Sequence, residues 1–229
     1  MRRSTTTVLS LSALIALSLT GCSGTSTTSG PAPASAAGQT QKGTAPALLS
    51  SATLNRRLLD ESDLGQGYTR TPQRPTQHDD VTVNGCPALA KLGADAAPGS
   101  NLDFPRKAKA TFAYADSSKS VVSEELYSDG ASKLSKGIGE IVNAMASCPA
   151  YQLVAGSTVI DMGTQLVPAP TPKLGDEQWS LQMTHSVGGQ SRIVQQTAVR
   201  AGTLLVIVSG APGLVNKHLG KALAKAQAR

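Results

Sequence analysis

Apolar and polar residues alternate most cleanly between Gln178 and Val187. Trp179, Leu181, Met183, His185 and Val187 are interleaved there with Gln178, Ser180, Gln182, Thr184 and Ser186. A period of two is that of a strand with one buried face. Gly188-Gly189 then supplies a two-residue hairpin turn, a register that pairs Met183 with Val194 and Trp179 with Ala198. A second turn at Ala201-Gly202 is expected to pair Ala198 with Leu205 and Gln196 with Ile207. The three strands form a meander, with Trp179, Ala198 and Leu205 as one core row. Its last strand, "LLVIVS", is apolar on both faces and calls for cover on both. Upstream, "KATFAYA" and "VVSEELYS" predict two neighbouring strands, and "STVIDMGTQLVP" a less regular one.

Spacing near 3.6 marks three helices. The first runs from Ala47 to about Asp60 on Leu48, Leu49, Ala52, Leu58 and Leu59, and leads through "DLGQGYTRTP" into a loop and short strand. The second starts with Asp129 as N-cap and ends near Ser147. Its Leu134, Ile138, Ile141 and Met145 share a face with Cys148, and Gly137 and Gly139 weaken it locally. The third begins near Gly213 and turns Val215, Leu219, Ala222, Leu223 and Ala226 inward. Helix, strands, helix, meander, helix is an α+β order, and predicts an antiparallel twisted sheet with helices packed on it.

A different pattern opens the chain. Met1-Arg2-Arg3 precedes an apolar run from about Val8 to Leu19, too short for the roughly 20 residues that span a bilayer. Leu19-Thr20-Gly21-Cys22 follows, and resembles the bacterial lipobox, in contrast to the Ala-x-Ala end of an ordinary secretion signal. The expectation is a lipoprotein signal peptide over residues 1–21 and a diacylglyceryl group on the Cys22 thiol; the alternative is a plain signal peptide with an incidental cysteine. Residues 22–46 continue with Ser, Thr, Gly, Pro and Ala, which cannot bury a core and read as a disordered tether. Its r.m.s. span would be about 25–30 Å. Residues 47–229 remain as one domain of ordinary size.

Charge narrows the partners. Without Arg2 and Arg3 the 21 basic residues become 19 against 15 acids, a net charge of +4 with no basic block. That excludes a nucleic-acid footprint and suits an anionic membrane or cell-wall polymer as neighbour. Seven aromatic residues (one Trp, four Tyr, two Phe) leave little for stacking on sugars or bases. Beside Cys22, only Cys86 and Cys148 remain, and an even remainder in an exported chain reads as a disulfide. Each precedes a proline, in "GCPAL" and "SCPAY", which places it where an element ends. The Cys-x-x-Cys spacing of a redox pair is absent.

Several of these segments together resemble a known family. A leucine-rich first helix leads to "DLGQGY". "CPAL" follows, then "EELYSDGASKL" entering a helix that closes on "CPAY", then "LGDEQW" and "QTAVRAGTLLVIV". The set is similar to the PknH-type extracellular sensor domains, known from a mycobacterial serine/threonine kinase and its stand-alone lipoprotein relatives. The resemblance covers most of residues 47–229. It implies an antiparallel sheet flanked by helices, a cleft proposed to take a ligand, and no enzymatic activity. Cys86 and Cys148 match one of that domain's two disulfides; the second pair has no counterpart here, and there is no kinase domain.

Catalytic patterns are missing. The sequence has no Gly-x-Ser-x-Gly, Ser-x-x-Lys or His-Glu-x-x-His motif and no phosphate loop. His78 with Asp79 and Asp80 reads as a solvated loop before a metal site, and His185, opposite Arg192 at a hairpin tip, as surface. Asp176 and Glu177 would point to opposite sides of a strand, which does not suit paired acid–base chemistry. Lys217, Lys221 and Lys225 form a stripe on the last helix, read as a solvated face before a contact with anionic lipid. Gln196, placed between Leu181 and Ile207 on the Trp179 face, is the one candidate ligand-binding residue. As a buried amide it needs partners, so either it lines a pocket or the register is displaced. The functional expectation is a membrane-anchored surface lipoprotein with a non-enzymatic, sensor-like domain. It would take a small ligand, envelope component or protein partner, without cofactor, catalytic residue or metal. An envelope lipid carrier and a hydrolase without a recognisable motif are the alternatives.

Overall fold

The computed structural model describes residues 47–73, 81–93, 102–115, 120–169 and 171–228. Its helices are α1 (Ser51–Arg57), α2 (Glu61–Leu64), α3 (Pro87–Ala90), α4 (Ala131–Ala146) and α5 (Pro212–Gln227). The strands are β1 (Tyr68–Arg70), β2 (Val81–Asn84), β3 (Lys107–Tyr114), β4 (Val121–Ser128), β5 (Ala150–Ala155), β6 (Thr158–Leu166), β7 (Glu177–Val187), β8 (Gln190–Ala201) and β9 (Leu204–Gly210). All nine strands join one sheet in the order β1-β3-β4-β9-β8-β7-β6-β5-β2, and every pairing is antiparallel. The α+β fold expected from the sequence is the fold observed.

β9 lies inside the sheet between β4 and β8, with helices over both faces, which explains why it is apolar on both. Leu204, Val206 and Val208 pack under α1 and α5 with Leu54, Val215, Leu219 and Ala222. Leu205 and Ile207 face the opposite side, under α4, with Leu134, Ile138, Met145 and Tyr127. Alternation on one central strand thus feeds two separate cores.

The bridge between Cys86 and Cys148 is formed, with Cα atoms 5.6 Å apart. Cys86 sits at the N-cap of α3 and Cys148 directly after the C-cap of α4, where the prolines that follow them end one element and begin the next. The staple therefore ties the edge strand β2 and α3 to the far end of α4.

Several expectations are corrected. The first helix covers only Ser51–Arg57, because Asp60 forms a capping box with Asp63 and starts a second helix. Leu58 and Leu59 are still buried, outside any helix, while Leu48 is exposed. Asp129 is not the N-cap of α4; Gly130 is, and the Asp129 Oδ1 accepts from the Gly130 N–H at 2.8 Å. The buried face of α4 uses Val142 fully and Ile141 only in part. Gly137 has a positive use: a Cβ there would lie 2.9 Å from Cζ of Phe104, so its absence lets that ring lie against the helix. β2 and β5 are strands that the sequence pattern does not announce, and β6 is a regular strand of nine residues.

The meander is right in its first hairpin and displaced in its second. Trp179 pairs with Ala198 and Met183 with Val194. Ala198, however, pairs with Ile207, and Gln196 with Ser209, because the turn residues are Gly202 and Thr203. Gly202 takes φ of +59° there, a value glycine adopts freely. The slip is two residues, so every side chain keeps its face and changes its neighbour. The core row is Trp179–Ala198–Ile207, and Trp179 is half-buried against the core instead of within it.

Candidate functional site

The sheet face under α4 is covered only in part. Three rows of paired residues cross it, each perpendicular to the strands. The first, Trp179–Ala198–Ile207–Glu125–Lys109, runs over β7, β8, β9, β4 and β3. The second is Leu181–Gln196–Ser209–Ser123–Thr111. The third begins with Met183–Val194 and is continued at the β4 end by Val121. Across the middle of the second row the side chains are short and polar, and no residue of α4 lies over them. The result is an open cavity of about 500 Å³, lined by Gln196, Ser209, Ser123, Met183, Val194 and Val121, with Glu125 and Lys109 at one end and His185 and Arg192 at the other. Gly210 closes its floor at the β4–β9 seam; a Cβ there would lie 2.3 Å from the Val121 carbonyl oxygen, so only glycine permits this approach.

The two ends differ electrically. Glu125 is buried, but both carboxylate oxygens are engaged: Lys109 Nζ lies 2.8 Å from Oε1 and the Tyr127 hydroxyl donates to Oε2 at 2.5 Å. The Tyr127 oxygen in turn accepts from the Leu102 N–H at 3.1 Å. Burial, and the Glu125 charge beside it, push the Tyr127 phenol well above its usual range. This end is neutral as a pair. At the other end, His185 pairs across the ladder with Arg192. His185 is half-buried, which corrects its reading as a surface residue, and burial lowers its pKa. Its Nε2 is shielded from solvent without a hydrogen-bond partner. Arg192 is exposed, and no carboxylate among the described residues pairs with it. The three central side chains, Gln196, Ser209 and Ser123, likewise make no hydrogen bond among the described residues.

Gln196 is half-buried and lines the cavity. The buried amide of β8 is its neighbour Gln195, on the opposite face, whose Nε2 donates to Asn216 Oδ1 at 3.1 Å and Thr197 Oγ1 at 3.2 Å. Ser123, Ser209 and the Lys109–Glu125 pair went unrecognised because their convergence depends on the register of the second hairpin and on β4 lying beside β9. The two adjacent glutamates inside the apolar "VVSEELYS" were the available signal.

The remaining sequence candidates are structural where they are described. Asp176 and Glu177 do not diverge but converge on Arg200, with Arg200 Nη1 at 2.9 Å from Asp176 Oδ2 and Nε on Glu177 Oε2. Ser135 Oγ of α4 donates to Glu177 at 2.9 Å, so the cluster docks α4 on the sheet. Hydrogen bonds from Gly202 to Asp176 and from Arg200 to Glu177 hold both carboxyls below their usual range, which suits an ion cluster and not proton transfer. Lys225 binds Asp60 and Asp63, and Lys221 donates to the Asp63 carbonyl at 2.6 Å, so the lysine stripe is in part a clamp on α2 and not a plain solvated face. His218 is buried, with Nε2 2.7 Å from the Tyr68 hydroxyl. Cys22 and the His78, Asp79, Asp80 group lie outside the described residues.

A nine-stranded antiparallel sheet, helices on both faces and an open cleft on one of them define a class of α+β domain. The chain has the fold of the extracellular domain of PknH from Mycobacterium tuberculosis, with a TM-score of 0.56 at 12% identity, over 79% of this chain and 95% of that one. An uncharacterized protein from Mycobacterium smegmatis, an Rv0999 ortholog, aligns at a TM-score of 0.41 and 11% identity, over 73% of this chain and 93% of that one. No family model and no curated protein matches the chain.

Proposed function

We propose that the chain is an extracytoplasmic lipoprotein whose residues 47–229 bind a small ligand in the open cleft beside α4, on the same face of the sheet, without transforming it. Residues 1–21 direct export, Cys22 carries the lipid, and residues 22–46 tether the binding domain to the membrane. The observation that carries the binding role is the cleft itself. Its volume falls in the range of small-molecule sites, and Gln196, Ser209 and Ser123 along it have no side-chain hydrogen-bond partner among the described residues.

Two results are expected. A ligand that fills the cleft raises the thermal midpoint by mass action, about 2.7 kcal/mol of stabilisation at a hundredfold excess over Kd. Gln196→Leu reduces that rise and leaves the unliganded midpoint where it was, because the amide makes no hydrogen bond among the described residues. Mass spectrometry of molecules retained through purification supplies the ligands to test. An undiminished rise in the variant overturns the assignment of the cleft.

Cys22→Ala abolishes acylation and moves the protein out of the membrane fraction. No helix among the described residues is long and apolar enough to cross a bilayer, so retention of the variant in membranes overturns the anchor.

A further inference from the structure

We infer that the ligand of the cleft is a small organic anion, bound with its charged group between Arg192 and His185 and its polar body along the Gln196–Ser209–Ser123 row. This rests on the reading of the cleft as a binding site and goes further by naming the chemistry of what enters it.

Three observations converge. The first is the charge at the two ends. Lys109 is ion-paired with Glu125, whose second oxygen is taken by Tyr127, so the charges at that end are already engaged. Arg192 is unmatched by any carboxylate among the described residues, which leaves the cleft with one uncompensated positive charge. A guanidinium is suited to an oxyanion, presenting two parallel donors to its two oxygens. The second is His185, directly across the ladder from Arg192. Its ring lines the cleft, and its Nε2, closed off from the open space and without a hydrogen-bond partner among the described residues, gains one if the ring turns toward a ligand oxygen beside Arg192. The third is the second row. Paired residues in adjacent strands stand about 5 Å apart, so an amide and two hydroxyls in line offer donors and acceptors over about 10 Å. Met183, Val194 and Val121 border that line with apolar surface. The whole arrangement fits a molecule with a carboxylate or phosphate end, a hydrogen-bonding middle such as an amide, and an apolar flank. No Phe, Tyr or Trp among the described residues lines the cleft, so it offers no large platform for stacking a sugar or base.

The test uses the full chain and two probes of the same shape, N-octanoylglycine and its neutral counterpart N-octanoylglycinamide, titrated by calorimetry. The acid should bind about tenfold or more tightly than the amide, the ratio expected of one charge-assisted contact. Arg192→Gln should bring the two to within about twofold by weakening the acid alone, and His185→Phe should weaken the acid further than the amide. Equal affinities, or tighter binding of the amide, overturn the anion assignment and leave the cleft a binding site. Binding of neither also overturns it, and the binding reading falls with it only where mass spectrometry finds no retained molecule either. An acid preference that survives Arg192→Gln places the charge elsewhere and overturns the site.

Discussion

Replacing both Cys86 and Cys148 by alanine should lower the unfolding free energy by about 2–4 kcal/mol, read from urea melts of the oxidised chain and the variant. The bridge spans a sequence separation of 62 residues, for which loss of denatured-state entropy alone gives about 4 kcal/mol. Residual structure in the denatured chain takes back part of that. The effect on the folded side is local. β2 is an edge strand whose one strand partner among the described residues is β5, and the bridge adds a covalent tie from it and α3 to the end of α4. Both cysteines are buried in the core under α4, so the two alanines also remove sulfur atoms that pack there. Hydrogen exchange in the variant should therefore rise first in β2 and α3, with β7, β8 and β9 protected as before. Free thiols in the wild-type protein, or an unchanged urea midpoint in the variant, would show that the bridge does not constrain the chain.

The parts of this fold that could be read from the sequence are those in which two local signals agree. Strict alternation over β7 together with Gly188-Gly189 sets the first hairpin, since a slip of one residue would expose Leu181 and Met183. β9 carries no such restraint. With Leu204 through Val208 apolar at every position, a slip of two residues puts leucine, isoleucine or valine on either face equally well. Only the turn distinguishes the registers, and Gly202 serves as its first central residue, not its second. The candidate site inherits that ambiguity. With Gln196 opposite Ile207 it is a lone amide among apolar neighbours; opposite Ser209 it becomes one member of a polar row. The row extends to Ser123 only because β4 lies beside β9, a pairing across some 80 residues that no local period encodes. The cysteines were legible for a different reason: parity and the two following prolines constrain them without any knowledge of topology.

Raising the pH from 7 to 8 should destabilise the protein by about 1 kcal/mol, and Glu124→Gln should remove that dependence. Glu124 lies on β4, facing α1 and α5, and is 1% exposed. Its Oε2 accepts from the Leu59 N–H at 2.6 Å, while Oε1 has no partner. Burial raises its pKa from 4.5 to about 8, opposed by the Leu59 N–H and the charge of Lys225 and aided by Asp63. Between those two values the unfolded chain has released the proton and the folded chain keeps it. Each rise in pH therefore favours unfolding, by up to about 1.4 kcal/mol per unit. The stabilisation is complete below pH 4.5 and is lost as the pH passes 8. Other groups act lower on the scale. Burial lowers His185 and His218 from 6.5, so they cost stability only as the pH falls below that value. Lys225 and neighbouring hydrogen bonds hold Asp60 and Asp63 below 3.8, and their contribution is lost only in stronger acid. The interval from pH 7 to 8 thus isolates Glu124. Glutamine reproduces the protonated side chain, since its carbonyl oxygen still accepts from Leu59 and its amide replaces the O–H. Urea midpoints at pH 7.0, 7.5 and 8.0 should fall for the wild type and stay level for Glu124→Gln. Parallel slopes in the two proteins would assign the titration to another group.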